Sequence, residues 1–203
     1  MKSFWWAGIA LALWGGEAAA QVSGHSTSTP ATNVRPYKEL QSFGTCLAKA
    51  QRKAALSLIA TVAGSGEERK ILRKLVYGEH AGCLFGGTQM QMPDIFARGA
   101  VAEGLLRSGG VPAEYQLAAP SPTEVRDLHG GARCYTSGHR DDAEKLLQTT
   151  PGSPEELKAV GGLWEDFRTC IPKFNVRLNA PWIRFLLAEA VLRLAPNTTS
   201  SGG

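Results

Sequence analysis

The stretch TVAGSGEE at residues 61–68 recurs as TTPGSPEE at residues 149–156. The similarity extends outward without a gap, from residues 46–81 to residues 134–169, and 11 of these 36 positions are identical. Average residue usage would give about two or three identities. The identical pairs include Cys46/Cys134, Arg52/Arg140, Thr61/Thr149, Gly64/Gly152, Ser65/Ser153 and Glu68/Glu156. The chain therefore contains an internal duplication, which sets the architecture.

Each copy has the periodicity of helices. Apolar residues recur every three or four positions from Leu40 to Val62, which predicts one long amphipathic helix. A capping box of the form S-x-x-E follows, at residues 65–68 and 153–156, and predicts the start of a second helix. Apolar runs at residues 95–106 and 183–194 predict a third helix. Each copy is therefore expected to contain three helices.

The four cysteines lie at matching places in the two copies. The midpoint between Cys46 and Cys83 falls at the predicted turn, and so does the midpoint between Cys134 and Cys170. Residues equidistant from the turn of an antiparallel hairpin lie side by side, roughly within the 4.4–6.8 Å Cα separation of a disulfide. We therefore predict the disulfides Cys46–Cys83 and Cys134–Cys170. A zinc site made by all four thiolates is the rival interpretation, but no C-x2-C pair is present.

These patterns together predict an all-α fold of two tandem three-helix repeats, each a disulfide-closed helical hairpin plus a third helix. Residues 37–108 form repeat 1, residues 109–122 a linker and residues 123–195 repeat 2. A further capping box at residues 121–124 favours a start of the second repeat near there. Residues 21–36 and 196–203 are rich in small and polar residues and are predicted to be a disordered leader and tail.

The first twenty residues have the pattern of a secretory signal peptide. Lys2 gives a positive start, residues 4–14 are apolar, and Ala18-Ala19-Ala20 fit a cleavage site. Eleven apolar residues are fewer than the roughly 20 that a membrane-spanning helix needs. The mature chain is thus expected to be exported, to begin near Gln21 and to contain no transmembrane segment. Because all four cysteines lie in it, disulfides are permitted.

Composition and motifs exclude several functional classes. The net charge of the 203 residues is only +4, which gives no argument for nucleic-acid binding. The sequence contains no zinc-protease, nucleophile-elbow or phosphate-loop motif, so no cofactor is expected. His80, Met90 and Met92 could suggest copper, and His129, His139, Asp141 and Asp142 a surface metal site. Core packing and a solvated helix face explain these residues more simply, and we predict no metal.

Each third helix carries the motif Arg-x4-Glu-x3-Arg. The residues are Arg98, Glu103 and Arg107 in the first copy and Arg184, Glu189 and Arg193 in the second. A buried Glu103 or Glu189 could act as a general acid, as in enzymes that cleave cell-wall glycan. Each glutamate, however, stands four residues before an arginine, the spacing of an ordinary helical ion pair. We therefore predict structural ion pairs, with catalysis by Glu103 or Glu189 as the weaker alternative.

The pattern Cys…GSxEE…Cys…RxxxxExxxR, given twice after a signal peptide, resembles uncharacterised exported two-repeat proteins of sphingomonad-type bacteria. Residues 151–156 and 187–190 of copy two match that pattern more closely than copy one, where Ala63 replaces the proline. The resemblance covers about residues 38–195. It implies a two-repeat architecture and export from the cytoplasm, but no activity.

The expected function follows from this architecture. We expect an exported helical-repeat module of the cell envelope that binds a protein, a peptide or a glycan, or has a structural role. The alternative is an envelope glycan hydrolase that uses a helix-borne glutamate.

Overall fold

A computed structural model describes residues 34–77, 81–83, 94–112, 115, 117, 125, 127–171 and 178–194. All regular structure in these ranges is helical. The helices are α1 Val34–Ala50, α2 Arg52–Ala60, α3 Gly66–Tyr77, α4 Asp94–Arg107, α5 Leu128–Gly138, α6 Arg140–Gln148, α7 Pro154–Thr169 and α8 Ala180–Arg193, with a 3-10 turn at Ala81–Cys83. The predicted all-α fold is therefore confirmed.

Two four-helix units repeat the same order, α1–α4 in unit 1 and α5–α8 in unit 2. The first helix predicted for each repeat is divided into two, at Gln51 and at His139. Both residues have nearly the same backbone angles, φ −133° with ψ 43° and φ −131° with ψ 41°. The break shifts the apolar face, so Ala55 and Ile59 are buried while Val62 is 76% exposed, contrary to the continuous stripe predicted from Leu40 to Val62.

Both predicted disulfides are confirmed. Cys46 and Cys83 are bonded with their Cα atoms 5.5 Å apart, and Cys134 and Cys170 with theirs 5.8 Å apart. Each bond joins the first helix of a unit to the segment that follows its third helix. Loops of this size should contribute roughly 3–4 kcal/mol each if disulfides act mainly on the entropy of the unfolded chain.

The turn between the second and third helices of each unit is built alike. Gly64 and Gly152 have φ values of 77° and 76°, a region that favours glycine. The hydroxyl oxygens of Ser65 and Ser153 accept hydrogen bonds from the third backbone amide after them, at 3.1 and 3.2 Å. The caps at 65–68 and 153–156 are therefore formed, whereas the box at 121–124 lies outside the described residues, and α5 begins after Asp127.

Helices α4 and α8 form the centre of the molecule. They are buried almost all round, from Ala97 to Leu105 and from Ala180 to Leu192 except for Trp182. Glycine permits the closest approaches: a Cβ added to Gly99 would lie 2.3 Å from Cβ of Phe185, and one added to Gly104 would lie 2.3 Å from the carbonyl oxygen of Gly44. The two central helices therefore pack closely against each other, and α4 packs closely against α1.

Within the described ranges, no helix is both long enough and apolar enough to cross a lipid bilayer. The proposed signal peptide, the leader and the tail lie outside the described residues, apart from Val34–Pro36, which begin α1.

Candidate functional site

The first arginine of each repeated motif is fully buried. The side chains of Arg98 and Arg184 are both 0% exposed. Each guanidinium lies at the carboxyl end of the short second helix of its own unit. Arg98 donates to the carbonyl oxygens of Leu58, Ile59 and Thr61 at 2.8–3.1 Å, and Arg184 to those of Leu146, Leu147 and Thr149 at 2.8–3.2 Å.

These carbonyls explain why a cation is placed there. The last carbonyls of a helix have no partner within the helix, and they carry the negative end of its dipole. A guanidinium supplies several donors and a permanent positive charge. The two buried arginines therefore cap α2 and α6 from inside the protein.

The same arginines also form ion pairs between the two units. Arg98 Nε lies 2.8 Å from Oε1 of Glu189, and Arg184 Nη2 lies 2.8 Å from Oε1 of Glu103. Each arginine thus meets a glutamate from the other unit, and the two contacts are reciprocal. We call them the crossed ion pairs. They place α4 and α8 antiparallel, because residues 98 and 103 meet residues 189 and 184 in that order.

A second carboxylate binds each buried arginine from its own unit. Arg98 Nη1 lies 3.1 Å from Oε1 of Glu68, and Arg184 Nη1 lies 2.9 Å from Oε1 of Glu156. The other oxygen of each carboxylate accepts the amide of Gly64 or Gly152, at 2.5 and 2.7 Å. Glu68 and Glu156 therefore connect the capped turn to the central helices.

The capping-box pattern predicts only a capping role for Glu68 and Glu156, and it does not predict that each pairs with a buried arginine. The signal was present, since Glu68 and Glu156, together with Thr61 and Thr149, are identical in the two copies. A cap needs only an acceptor side chain, so the retention of the same carboxylate in both copies, together with the threonine at the helix end, pointed to a buried cation.

The last arginine of each motif completes the cluster. Arg193 Nε lies 2.7 Å from Oε1 of Glu189, and Arg107 Nη2 lies 2.8 Å from Oε1 of Glu103. Each cluster therefore contains two guanidinium groups and two carboxylates, so the formal charges of these four groups cancel. All six residues predicted to form structural ion pairs lie in these two clusters. The two sides differ in exposure, since the side chain of Arg193 is 7% exposed and that of Arg107 is 46% exposed.

The duplicated positions on α1 and α5 have diverged. Gln41 Nε2 donates to Oε1 of Glu103 at 2.6 Å, and the corresponding His129 places Nδ1 2.8 Å from Oε2 of Glu189. Tyr37 donates its hydroxyl to Glu156, while the corresponding residue in unit 2 is Val125, which has no hydroxyl. Burial, and to a lesser degree the Glu156 carboxylate, raise the pKa of Tyr37 far above its usual value, so it remains a donor.

Glu189 is held as a carboxylate. Its burial opposes ionisation, but the close approach of His129 and the charges of Arg98 and Arg193 outweigh that effect. Together they hold the pKa of Glu189 well below its usual range. In the other cluster, burial opposes the charge of Arg184. Its hydrogen bond and attraction to Glu103 outweigh that effect and raise the pKa of Arg184 above its usual value. Glu189 and Arg184 therefore stay ionised over the range in which proteins work.

The histidines discussed as metal ligands are separated by the fold. His129 faces Glu189, whereas His139 stacks on the ring of Tyr135 with centroids 4.8 Å apart. Asp142 pairs with Lys145 on the surface. In the part of the chain that the structure describes, no group of three or more histidine, cysteine, aspartate or glutamate side chains could hold a metal ion. His80, Met90 and Met92 lie outside it.

An open groove of about 460 Å³ lies beside the cluster of Arg184. Its apolar lining comes from Leu106, Leu147 and Val191, and its polar lining from Glu103, Arg107, Glu144 and Gln148. The residues belong to α4, α6 and α8, and we call the feature the α4–α6 groove. Leu106 and Leu147 are only half-buried, so apolar surface remains open to solvent there.

No family model matches the chain, and no curated protein or solved structure matches it closely enough to carry an inference. The function must therefore be argued from the site itself.

Proposed function

We propose that this protein is an exported, disulfide-stabilised helical module that acts by binding a partner in the cell envelope. The observation that carries the proposal is the state of the two candidate catalytic carboxylates. Glu103 and Glu189 are almost fully buried, and each accepts hydrogen bonds from two guanidinium groups. A general acid must carry a proton at working pH, and the low pKa of Glu189 removes that proton.

The α4–α6 groove supports binding at a defined place. It combines three apolar residues with four polar or charged ones, so a ligand can find both apolar contact and hydrogen-bonding groups there. Arg107 at the edge is half-exposed and donates to the carbonyl of Leu147 at 3.2 Å, so the guanidinium marks one wall of the groove. Residues on three helices fix this surface, which suits recognition more than a mobile loop would.

Export is supported by the signal-peptide pattern of residues 1–20, by the two disulfides and by the resemblance to exported two-repeat proteins. The mature protein then begins at Gln21. Amino-terminal sequencing of the protein recovered outside the cytoplasm tests this step. A sequence that begins at Met1 would contradict it.

The binding proposal is tested against hydrolysis with the mature chain. Incubation with purified peptidoglycan should release no soluble glycan above a protein-free control. A photo-crosslinking residue placed at Gln148, in the groove, should give a product with envelope material that saturates and is competed by unlabelled protein. The same residue at Gly161, on the exposed face of α7, is the matched control and should give none. Glycan release that is lost in Glu103→Gln, while the protein remains folded, would favour the hydrolase.

A further inference from the structure

The α4–α6 groove has a counterpart formed by α2 and α4 of unit 1 together with α8, where the same positions of the repeat occur. Leu106, Leu147 and Val191 of the groove correspond to Leu192, Ile59 and Leu105. The surrounding contacts correspond too. Arg107 donates to the carbonyl of Leu147, and Arg193 donates to that of Ile59 at 2.6 Å. The two surfaces can therefore be compared position by position.

In unit 1 this surface is covered. Leu192, Ile59 and Leu105 are 2%, 0% and 0% exposed. Within the segment that follows α4, Val111, Tyr115 and Leu117 pack against the apolar cluster to which these three residues belong. The segment is held at its start by Arg52, whose guanidinium donates to the carbonyls of Ser108 and Gly110 at 3.1 and 2.6 Å.

In unit 2 the same anchor is present, but the sequence in register with the covering residues differs. Arg140, the counterpart of Arg52, donates to the carbonyl of Leu194 at 3.0 Å, at the corresponding end of α8. The seven residues in the register of VPAEYQL, residues 111–117, are NTTSSGG, residues 197–203. This sequence has no aliphatic or aromatic side chain to place on Leu106, Leu147 and Val191. Among the described residues, Leu106 and Leu147 of the groove remain partly exposed to solvent.

We propose that the α4–α6 groove binds a short peptide segment of a partner protein, with aliphatic and aromatic side chains spaced as in Val111, Tyr115 and Leu117. That segment turns in unit 1, where the amide of Tyr115 donates to the carbonyl of Pro112 at 2.9 Å. The inference rests on the proposed binding function and names the chemistry of its partner. Burial of the ligand's apolar side chains against the partly exposed Leu106 and Leu147 supplies the driving force. Arg107 and Gln148 at the edge can hydrogen-bond to the backbone of the bound segment.

The test uses a fluorescent peptide with the sequence of residues 110–118, GVPAEYQLA, titrated with the disulfide-bonded mature chain. Its anisotropy should rise and saturate. A peptide in which serine replaces the residues equivalent to Tyr115 and Leu117 should bind roughly tenfold more weakly or not at all. Leu147→Asp should weaken binding by a similar factor, because it places a charge on the apolar floor.

Two further variants keep the test decisive. Gln148→Trp changes an exposed residue and fills the groove, so it should block the peptide even if Leu147→Asp is poorly folded. Val62→Asp is the matched control, an apolar residue that is 76% exposed and lies away from the groove, and it should bind as the parent does. Absence of saturation, or equal binding by the parent and Gln148→Trp, would overturn the inference.

The outcomes also separate this inference from the function it rests on. A crosslink at Gln148 to a non-peptide envelope component, without peptide binding, would overturn the peptide inference and leave the binding function standing. A dimer in sedimentation that Gln148→Trp dissociates would show that a second copy is the occupant. A tenfold rise in peptide affinity after removal of residues 195–203 would show that the chain covers its own groove. Both results would overturn the proposal of a separate partner.

Discussion

Replacement of Arg184 by methionine should be among the most destabilising single changes in this protein. The variant keeps an unbranched apolar chain of similar length but removes the guanidinium. It leaves Glu103 and Glu156, with side chains 1% and 0% exposed, without their shared cation. It also removes one donor from each of three carbonyls at the end of α6. Breaking a buried ion pair by removing one partner costs about 3–5 kcal/mol.

Arg107→Met is the matched control. Arg107 binds the same Glu103 oxygen at 2.8 Å, as Arg184 does, but its side chain is 46% exposed. Solvent screening reduces the contribution of such a pair to about 0–1 kcal/mol. The two variants therefore remove the same group from the same carboxylate. They differ in burial and in the further contacts that Arg184 makes with Glu156 and the end of α6.

Urea unfolding followed by circular dichroism, with the disulfides intact, measures both changes. With a urea dependence of about 2 kcal/mol/M, a loss of 4 kcal/mol lowers the midpoint by about 2 M. Arg107→Met should lower it by less than about 0.5 M. Equal small shifts in the two variants would refute the reasoning. In Arg184→Met with Glu103→Gln, the loss should be smaller than the sum of the single losses, because one uncompensated charge has been removed.

Three further predictions concern other parts of the molecule. The folded-state pKa of Glu189 is lowered, so its ion pairs should stabilise the protein above the ordinary carboxyl pKa of about 4.3. This contribution should fade as the pH falls below that value. Glu189→Gln should therefore flatten the dependence of the urea midpoint on pH, and an unchanged slope would count against the assignment. Gly99→Ala should cost about 1–3 kcal/mol, because its Cβ would lie 2.3 Å from Cβ of Phe185; Gly161→Ala, with nothing within 4 Å, should be neutral or stabilise by up to about 1 kcal/mol in the same urea assay. Replacing Cys134 and Cys170 together by serine should cost roughly 3–4 kcal/mol in thermal or urea unfolding, and a fully stable double variant would contradict the role given to that disulfide.

The sequence was sufficient to predict the local features that occur in both copies of the repeat. The turn glycines Gly64 and Gly152, the serine caps and the symmetric cysteine spacing are local signals, and the comparison of the copies separates them from chance. The break at Gln51 had no such signal, since the residue is neither proline nor glycine and the apolar pattern runs past it. Its consequence, the exposure of Val62 and the burial of Ile59, was therefore not predicted.

The candidate site was predicted in part. The ion pairs within one motif, such as Glu103 with Arg107, follow from i,i+4 spacing. The crossed ion pairs depend on how α4 lies against α8, and periodicity within a helix carries no information about that arrangement. The groove was also beyond the sequence, because it brings together Leu106, Leu147 and Val191 from three helices that are distant along the chain.

The crossed ion pairs are the contacts expected across the interface of a two-fold homodimer, where one residue of each protomer meets a second residue of the other. Here both protomers lie on one polypeptide. A duplication that joins two subunits in tandem makes their association independent of concentration, so the pair does not dissociate on dilution. It also releases each half from the requirement that a single sequence serve both sides. The two halves differ in this way where Tyr37 corresponds to Val125 and where Gln41 corresponds to His129.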